Sequence, residues 1–250
     1  MTAADATASV HDTGMSRPPR WLPLVFVDDL AAPRLTDDDA HHLRRVLRVR
    51  DQDVVTLADG NGRWCAARLG AGLTPLVDGD VCIEPEPAPP ITIAFALVKG
   101  DRPETIVQKL TELGVDRIVP FVAARSVVRW DDDKARRNVE RLRKVAREAA
   151  MQCRRARLPV IDAVATFDEL VREVPFALAD FDGGEPSLDF PAIAIGPEGG
   201  WSDDERAQVP TRVVLSAHVL RTETAAMTAG ALLASLRSAT VRNGRYQETG

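Results

Sequence analysis

The segment after Pro90 alternates strongly apolar runs with amphipathic ones, and this alternation constrains the fold more than any other feature of the chain. Residues 91–98, ITIAFALV, are apolar without interruption, which is typical of a strand buried on both faces. An apolar stripe with helical spacing follows from Ile106 to Leu113, and Gly114 is suited to end that helix. Because strands that alternate with helices form parallel sheets, the pattern predicts an α/β fold.

The alternation continues along the chain. Asp101 and Glu104 have the spacing of a capping box at the start of the first helix. The apolar run DRIVPFV predicts a further strand, and a long helix is predicted over residues 133–152. Three later strands are predicted over residues 176–180, 192–196 and 212–215, and a final helix is predicted over residues 222–238.

The first part of the chain is organised differently. Four short β-like runs, LVFVD, DVVTLAD, RWCAARL and DVCIE, are separated by turn residues such as Asp59-Gly60, and one helix is predicted over residues 37–49. This pattern predicts a small β-barrel. The proline-rich segment EPEPAPP is typical of a linker. We therefore predict a disordered tail at residues 1–20 and a β-barrel domain at residues 21–86. A linker at residues 87–90 and an α/β domain at residues 91–245 follow.

Composition limits the classes of function. The 250 residues are 45% hydrophobic and 28% charged, as in ordinary globular proteins. The longest clear apolar run, residues 91–98, is far short of a membrane span, so we expect no membrane partner. The three cysteines have neither metal-binding nor redox spacing. We therefore expect no metal site and a reducing, cytoplasmic location.

A glycine-rich turn follows the predicted strand at residues 192–196. The segment AIAIGPEGGWSDDE, residues 192–205, is typical of a buried strand, a tight turn and a helix with Ser202 as its N-cap. The turn lacks the Lys-Ser/Thr pair of a P-loop and the spacing of a dinucleotide fingerprint. Glu198 within it would repel a phosphate. A neutral or cationic ligand such as S-adenosylmethionine fits better, and a plain turn that binds nothing is the alternative.

A second sharp strand exit precedes the last helix. In the segment LSAHVLRTETAAMTAGALLASL, residues 215–236, Arg221 and Glu223 lie where the loop meets the helix. We interpret this junction as functional. The alternatives are that Glu223 only complements the helix dipole and that Arg221 is an ordinary surface charge.

Two basic segments occur in a chain whose net charge is −5. Between Lys134 and Arg157 there are ten lysine and arginine residues and two glutamates, a local net charge of +8. The segment HHLRRVLRVR, residues 41–50, carries four arginines and no acid. Like charges at helical spacing repel, and a polyanion would relieve this repulsion. The two segments therefore favour RNA binding over a merely solvated surface.

Together these motifs resemble the SPOUT class of RNA methyltransferases and, within it, the bacterial RsmE family of 16S rRNA uridine-N3 methyltransferases. The resemblance extends from about Trp21 onward. It rests on HHLRRVLR with Asp59-Gly60, on KGDRPETIVQKLTELGVDRIVPFVAARSV, on REAAMQCRRARLP, on IGPEGGWSDDE and on VLRTETAA. The chain departs from the family pattern where Ser216 replaces a glycine, His218 an arginine and Arg154 a glycine.

The resemblance implies a fold, a cofactor and partners. The fold is a SPOUT-type knotted parallel sheet of the α/β class, with a C-terminal trefoil knot and an N-terminal PUA-like β-barrel that binds RNA. The cofactor is S-adenosylmethionine, and the substrate is 16S rRNA or the small ribosomal subunit. The resemblance also implies a homodimer, and the small-residue helix face with Ala225, Ala229 and Leu233 is suited to close packing.

Site residues are carried over from the resemblance at matching positions. In such folds the cofactor lies in the loops after three strands of the sheet. The candidate cofactor-binding residues are Leu178, Ile195, Gly196, Pro197, Glu198, Gly199, Gly200, Leu215, Ser216, Val219 and Leu220. The candidate catalytic residues are Arg221 and Glu223. The candidate RNA-binding residues are Arg44, Arg45, Arg48, Arg143, Arg147, Gln152 and Arg155.

The function that the resemblance implies is methylation of uridine N3 in 16S rRNA. One alternative is a non-catalytic RNA-binding ribosome assembly factor with the same fold. Arg221 and the glycine turn disfavour this alternative. A weaker alternative is an enzyme of small-molecule nucleotides, which the basic segments disfavour.

Overall fold

The computed structural model describes residues 15–45 and 47–240, and it divides the chain into two compact units. The first unit comprises Met1–Glu86 and Arg147–Leu158, and the second comprises Pro87–Ala146 and Pro159–Gly250. The segment Arg147–Leu158 thus groups with the first unit, although its sequence position places it inside the predicted domain 91–245. Residues 1–14 of the predicted tail, Val46 of the predicted first helix and residues 241–245 lie outside the described residues.

The first unit is built on a five-stranded sheet. Four strands neighbour one another in chain order, β1 (Leu24–Phe26), β2 (Val54–Ala58), β3 (Arg63–Leu69) and β4 (Pro75–Val77), and β5 (Cys82–Ile83) pairs with β3. Strands β1 and β2 run parallel, whereas the pairs made by β3 are antiparallel. Helix α1 (Asp37–Arg45) and a short 3-10 helix (Ala71–Leu73) are the other regular elements described between residues 15 and 86.

The end of a long helix, α3 (Asp132–Cys153), completes the core of the first unit. Ala150 and Met151 of this helix are buried in one cluster with Leu24 and Trp64 of the sheet. This packing explains why Arg147–Leu158 belongs to the first unit.

Residues 15–20 differ from the predicted disordered tail because they lie against the first unit. Pro18 and Pro19 are buried, Met15 packs against the hydrophobic core, and Arg17 Nε lies 3.5 Å from Glu84 Oε1. Burying proline costs little conformational entropy, which favours docking of this otherwise polar segment.

The second unit contains a seven-stranded sheet. The strands are β6 (Thr92–Ala96), β7 (Arg117–Val122), β8 (Val160–Ile161), β9 (Ala165–Thr166), β10 (Ala177–Gly184), β11 (Ala192–Ile195) and β12 (Arg212–Val213). Their order is β12-β10-β11-β6-β7-β8, with β9 beside β7. Every pair recorded among the described residues of this sheet is parallel. The predicted parallel α/β sheet is confirmed.

Besides the first part of α3, the described residues of the second unit form four helices, namely α2 (Arg102–Leu113), α4 (Phe167–Glu173), α5 (Asp203–Gln208) and α6 (Thr222–Arg237). Small residues bring α6 close to α2. A Cβ atom at Gly230 would lie only 2.7 Å from Leu110 Cδ2. Ala225, Ala229 and Leu233 are buried in the core of the same unit. The close packing expected of this helix face is therefore confirmed, but it occurs inside the unit, which leaves the face covered and closed to a second subunit.

Capping interactions define where two of these helices begin. Ser202 Oγ accepts a hydrogen bond from Glu205 N at 3.2 Å, and Ser202 N donates to Glu205 Oε2 at 2.8 Å, which confirms Ser202 as an N-cap. The capping box predicted at Asp101 and Glu104 is wrong, because Asp101 makes no side-chain capping bond. Glu104 pairs instead with Arg141 of α3.

Candidate active site

The carboxyl ends of the parallel strands bring several loops to one edge of the second unit. The loops following β6, β7, β11 and β12 are residues 97–101, 123–131, 196–202 and 214–221. Open parallel sheets bind ligands in the crevice outside these strand ends. The glycine turn and the loop that contains Arg221 are therefore neighbours at the edge where a ligand is expected.

The glycine turn after β11 is held by hydrogen bonds at both ends. Gly200 N donates to Pro197 O at 2.8 Å, and Thr222 Oγ1 donates to Gly196 O at 3.1 Å, which ties the turn to the start of α6. A Cβ at Gly196 would lie 3.0 Å from the ring of Trp201. Gly200 has a φ of +69°, and no atom lies within 4 Å of the place a Cβ would take. The turn thus leaves open space beside its backbone.

Trp201 anchors the helical side of this turn. Its side chain is 2% exposed, and its Nε1 donates to Ala179 O of β10 at 2.9 Å. The indole stacks on Phe121 with ring centroids 6.0 Å apart and planes inclined by 8°, and it contacts Phe167 at 5.6 Å. These contacts fix the distance between the end of β10 and the turn.

The loop after β7 supports the turn from another side. Arg125 Nη1 donates to Gly199 O at 3.3 Å, and Ala124 N donates to the buried Glu205 Oε1 at 2.8 Å. Glu205 therefore serves both as a capping residue and as a brace between two loops.

One arginine joins the glycine turn to the start of α6. Arg102 Nη1 lies 2.9 Å from Glu198 Oε1 and 3.7 Å from Glu223 Oε2. Glu223 Oε2 is buried and accepts no hydrogen bond from the part of the chain that the structure describes. It is thus an acceptor position at the site. The sequence analysis did not identify Arg102 as a site residue. One signal was present, because a cation directly after Asp101 lies in the first turn of a helix, where the helix dipole disfavours it.

Arg221 presents a cation that no described residue pairs with. It is the N-cap residue of α6, with φ −68° and ψ 155°, and makes no side-chain capping bond. Its side chain is exposed and forms no hydrogen bond or ion pair with residues 15–45 or 47–240. The guanidinium is therefore available to a polar or anionic ligand.

The predicted cofactor residues on the strands and in the turn differ in exposure. The side chains of Leu178 and Ile195 are buried in the core, so these residues could reach a ligand only through their backbone. Pro197 is also buried, whereas Glu198 and Gly199 are exposed.

The loop after β12 carries the remaining predicted cofactor residues. Leu215 and Leu220 are half-buried and pack against the core, whereas Val219 is 81% exposed. Ser216 Oγ accepts a hydrogen bond from His218 N at 3.1 Å, so the serine closes a local turn where the family pattern has glycine.

Most of the predicted RNA-binding residues lie in the first unit. Arg44, Arg45, Arg48 and Gln152 are exposed, and Arg155 is half-buried. The neighbouring Arg154 has a φ of +62°, in the left-handed region that favours glycine. This backbone conformation explains why the family pattern has glycine at that position.

Arg147 has an internal role that the sequence did not predict. Its guanidinium donates to the two carboxylate oxygens of Asp39 at 2.7 and 2.9 Å and to Phe26 O at 3.1 Å. It also lies 5.5 Å from the centroid of the Phe26 ring. Burial opposes ionisation of Asp39, but hydrogen bonds from Arg147 and Thr36 outweigh it and lower its pKa. The interpretation of Arg147 as an RNA contact is therefore corrected, because its charge is used inside the first unit.

Arg143 is also engaged within its own unit. Its Nε and Nη2 donate to Ile161 O at 3.3 and 3.1 Å, and its Nη1 pairs with Glu140. This arginine secures the end of β8, so part of its hydrogen-bonding capacity is used within the unit, and its contact with RNA stays a prediction.

Neither a metal site nor a membrane-spanning helix is found among the described residues. Within residues 15–45 and 47–240, no three histidine, cysteine, aspartate or glutamate side chains are grouped so that they could hold a metal ion. No helix in the same ranges combines the length and the apolar character needed to cross a membrane.

Comparison with known proteins decides the family. A model of an RNA methyltransferase domain matches residues 84–234, and a model of an RNA methyltransferase PUA domain matches residues 35–72. The ribosomal RNA small subunit methyltransferase E of Mycobacterium bovis is 34% identical over 235 residues, which cover 82% of this chain and 88% of the relative. This chain belongs to the ribosomal RNA small subunit methyltransferase E family. The family protein of Bacillus subtilis is 32% identical over 225 residues, 76% of this chain and 85% of its own length.

Solved structures of similar proteins share the fold. A methyltransferase of Legionella pneumophila, solved with its cofactor SAM, has a TM-score of 0.74 at 28% identity and covers 85% of this chain and 96% of its own. The methyltransferase E of Neisseria gonorrhoeae, bound to S-adenosyl methionine, has a TM-score of 0.72 at 28% identity, with 86% and 98% covered. The family resemblance inferred from the motifs is confirmed.

Proposed function

We propose that this protein transfers a methyl group from S-adenosylmethionine to N3 of a uridine in 16S rRNA of the small ribosomal subunit. The names of its relatives support the rRNA substrate, and the two solved neighbours support the cofactor. The observation that carries the proposal is that the open glycine turn meets the cation of Arg221, which has no partner in the described part of the chain. Both lie at the ligand-binding edge of the sheet.

The residues at this edge fit S-adenosylmethionine. The space beside Gly200 admits a ligand close to the backbone. Glu223 Oε2, which accepts no hydrogen bond from the described residues although it lies 3.7 Å from Arg102 Nη1, offers an acceptor to a cationic or N–H group. We propose that the loops around the turn and before α6 hold the cofactor, through the residues Leu178, Ile195, Gly196, Pro197, Glu198, Gly199, Gly200, Leu215, Ser216, Val219 and Leu220. When bound, the cofactor supplies an electrophilic methyl group on a positively charged sulfur.

The chain's own task is to prepare the acceptor nitrogen. Uracil N3 carries a proton at neutral pH, so that proton must leave and the resulting charge must be stabilised. We assign stabilisation to Arg221, whose planar guanidinium can pair with a uracil oxygen as negative charge develops. Glu223 is the proposed proton acceptor or hydrogen-bond partner. Its position beside Arg102 makes it the smaller contributor.

Cofactor binding is tested by placing a side chain in the open space. We expect Gly200→Val to abolish binding of S-adenosylmethionine in calorimetry, because the new side chain would occupy the ligand's place. Gly72→Val is the matched control, since Gly72 has a φ of +70° and equally open surroundings in the first unit. Both variants place a valine at a similar positive φ, so loss of binding in both would show that such a substitution acts by destabilising the protein, and it would contradict the assignment of the cofactor to the space beside Gly200.

The RNA-binding surface is proposed to lie mainly on the first unit. Its residues are Arg44, Arg45, Arg48, Gln152 and Arg155. We expect Arg44→Glu with Arg48→Glu to weaken binding of a 16S rRNA transcript. The slope of log affinity against log salt should decrease by roughly 1.4, the value for two lost contacts to single-stranded phosphate. The control is Arg172→Glu, an exposed charge on α4. A slope equal to that of the wild type would show that Arg44 and Arg48 belong to an ordinary solvated surface.

Further features are proposed from the family. We propose that the C-terminal segment forms a trefoil knot, which is supported by the return of α6 from the edge strand β12 to contact β6 and β11. We also propose that the first unit closes into a PUA-like barrel, that the protein is a homodimer and that it acts in the cytoplasm. Since Ala225, Ala229 and Leu233 are buried, the dimer must use another surface.

A further inference from the structure

Phe181 is a large apolar side chain exposed at the ligand-binding edge. It is 68% exposed, more than any other aromatic side chain among residues 15–45 and 47–240; Trp21 follows at 52% and Phe190 at 39%. Aromatic residues make up only 5% of the chain. An exposed phenyl ring forgoes the free energy of burial, so a ligand that covered the ring would recover that free energy.

The backbone around Phe181 leaves the regular sheet. Strand β10 pairs with β11 only as far as Leu178, and its pairing with β12 is interrupted between Ala179 and Gly184. Residues 180–183 therefore form a bulge. A Cβ atom at Gly183 would lie 2.4 Å from the backbone of β12, so the bulge depends on glycine at this point.

Two arginines from flanking segments hold this bulge in place. Arg206 of α5 donates to the carboxylate of Asp180 at 2.7 and 3.3 Å, and Phe181 N donates to the same carboxylate at 2.9 Å. On the other side, Arg212 of β12 donates to Asp182 Oδ2 at 2.6 Å. Burial opposes ionisation of Asp180, but the bonds from Arg206 and Phe181 N outweigh it and lower its pKa. The bulge that carries the ring of Phe181 is thus held by two ion pairs, which also pair the charges of its two aspartates.

We propose that Phe181 stacks on a base of the RNA substrate and so positions the target strand at the active site; this inference rests on the proposed function. Unpaired bases stack on exposed aromatic rings in many RNA-binding proteins, and such stacking tolerates any base. Because Asp180 and Asp182 are each paired with an arginine, they repel RNA phosphates less than free carboxylates would. The high exposure of the ring favours a base on a flexible strand over the adenine of a cofactor enclosed by loops.

The test measures binding of a 16S rRNA transcript at several salt concentrations. Phe181→Ala is expected to lower affinity about tenfold, the scale of one lost stacked base, at every salt concentration. The salt slope should stay unchanged, because no phosphate contact is lost. We expect Phe181→Tyr and Phe181→Trp to retain affinity for RNA and Phe181→Leu to lose it. RNA should also quench the tryptophan fluorescence that Phe181→Trp adds. Phe190→Ala, which removes an exposed phenylalanine before β11, is the matched control.

Four outcomes would overturn the inference. They are unchanged RNA affinity in Phe181→Ala, full rescue by Phe181→Leu, loss of S-adenosylmethionine binding in calorimetry, and a change of molecular mass in light scattering. The third would indicate stacking on the cofactor, and the fourth a contact between subunits. The binding assay needs no methyl transfer. If RNA binding depends on Phe181 but the wild-type protein does not methylate rRNA, only the proposed function is refuted. If the wild-type protein methylates rRNA but Phe181→Ala binds RNA with unchanged affinity, only the role of Phe181 is refuted.

Discussion

Replacing Arg221 with alanine is expected to lower the single-turnover rate of rRNA methylation about 100-fold, the scale of losing one transition-state charge contact. Affinity for S-adenosylmethionine should remain close to that of the wild type. The reason is that Arg221 makes no capping bond and no ion pair with the described residues, so its loss leaves the start of α6 and the glycine turn in place. Rapid-quench methylation of rRNA measures the rate, and calorimetry measures cofactor affinity.

Two companion variants define the role of Arg221. Arg172→Ala removes an exposed arginine from α4 and should leave the rate unchanged. Glu223→Gln should reduce the rate less than Arg221→Ala does, and it should alter the pH–rate profile if Glu223 accepts the proton. Near-normal turnover by Arg221→Ala would contradict the assignment and move charge stabilisation to another residue of the site.

Replacing Arg147 with methionine is expected to destabilise the first unit by about 3 kcal/mol, the scale of breaking a buried ion pair by removing one partner. Methionine keeps much of the apolar stem but leaves Asp39, whose side chain is 4% exposed, as a buried and uncompensated charge. Urea unfolding, monitored by hydrogen exchange of the backbone amides in β2 and β3, measures the stability of this unit separately from that of the second unit. Arg137→Met, at an exposed position of α3, should change stability by less than about 0.5 kcal/mol.

The effect of Arg147→Met should depend on pH in a defined direction. Because the pKa of Asp39 is lowered in the folded protein, the ion pair contributes stability that is fully present above the unfolded pKa, near 4. That contribution is lost as the pH falls through the folded pKa. The stability difference between the wild type and Arg147→Met should therefore be complete at pH 7 and shrink below about pH 4. A difference that stays constant down to pH 2 would show that Asp39 is not the group concerned.

Local patterns explain which features were predictable from the sequence. The parallel sheet, the glycine turn and the Ser202 cap depend on the order of apolar residues and on contacts three residues apart. Such contacts leave a readable periodicity. The capping box at Asp101 failed even though its spacing was correct, because Glu104 has a stronger partner in Arg141. A local motif is thus overridden when a distant charge competes for the same side chain.

Long-range pairs explain most of what the sequence did not predict. Arg147 and Asp39 are 108 residues apart, and Arg102 and Glu198 are 96 apart. A cluster of arginines along a helix predicts a polyanion partner, but it does not show which of them are already neutralised within the fold. The exposure of Phe181 depends likewise on a bulge set by pairing with β12, which no local pattern marks.

The central claim is that this protein methylates uridine N3 in 16S rRNA, and nucleoside mass spectrometry of that rRNA tests it most directly. The rRNA should be isolated from cells with and without the gene and then treated with purified protein and S-adenosylmethionine. We expect N3-methyluridine to be absent from the 16S rRNA of the deletion strain and to be restored by the wild-type protein, with little restored by Arg221→Ala over the same interval. An unchanged level of N3-methyluridine in the deletion strain would contradict the claim.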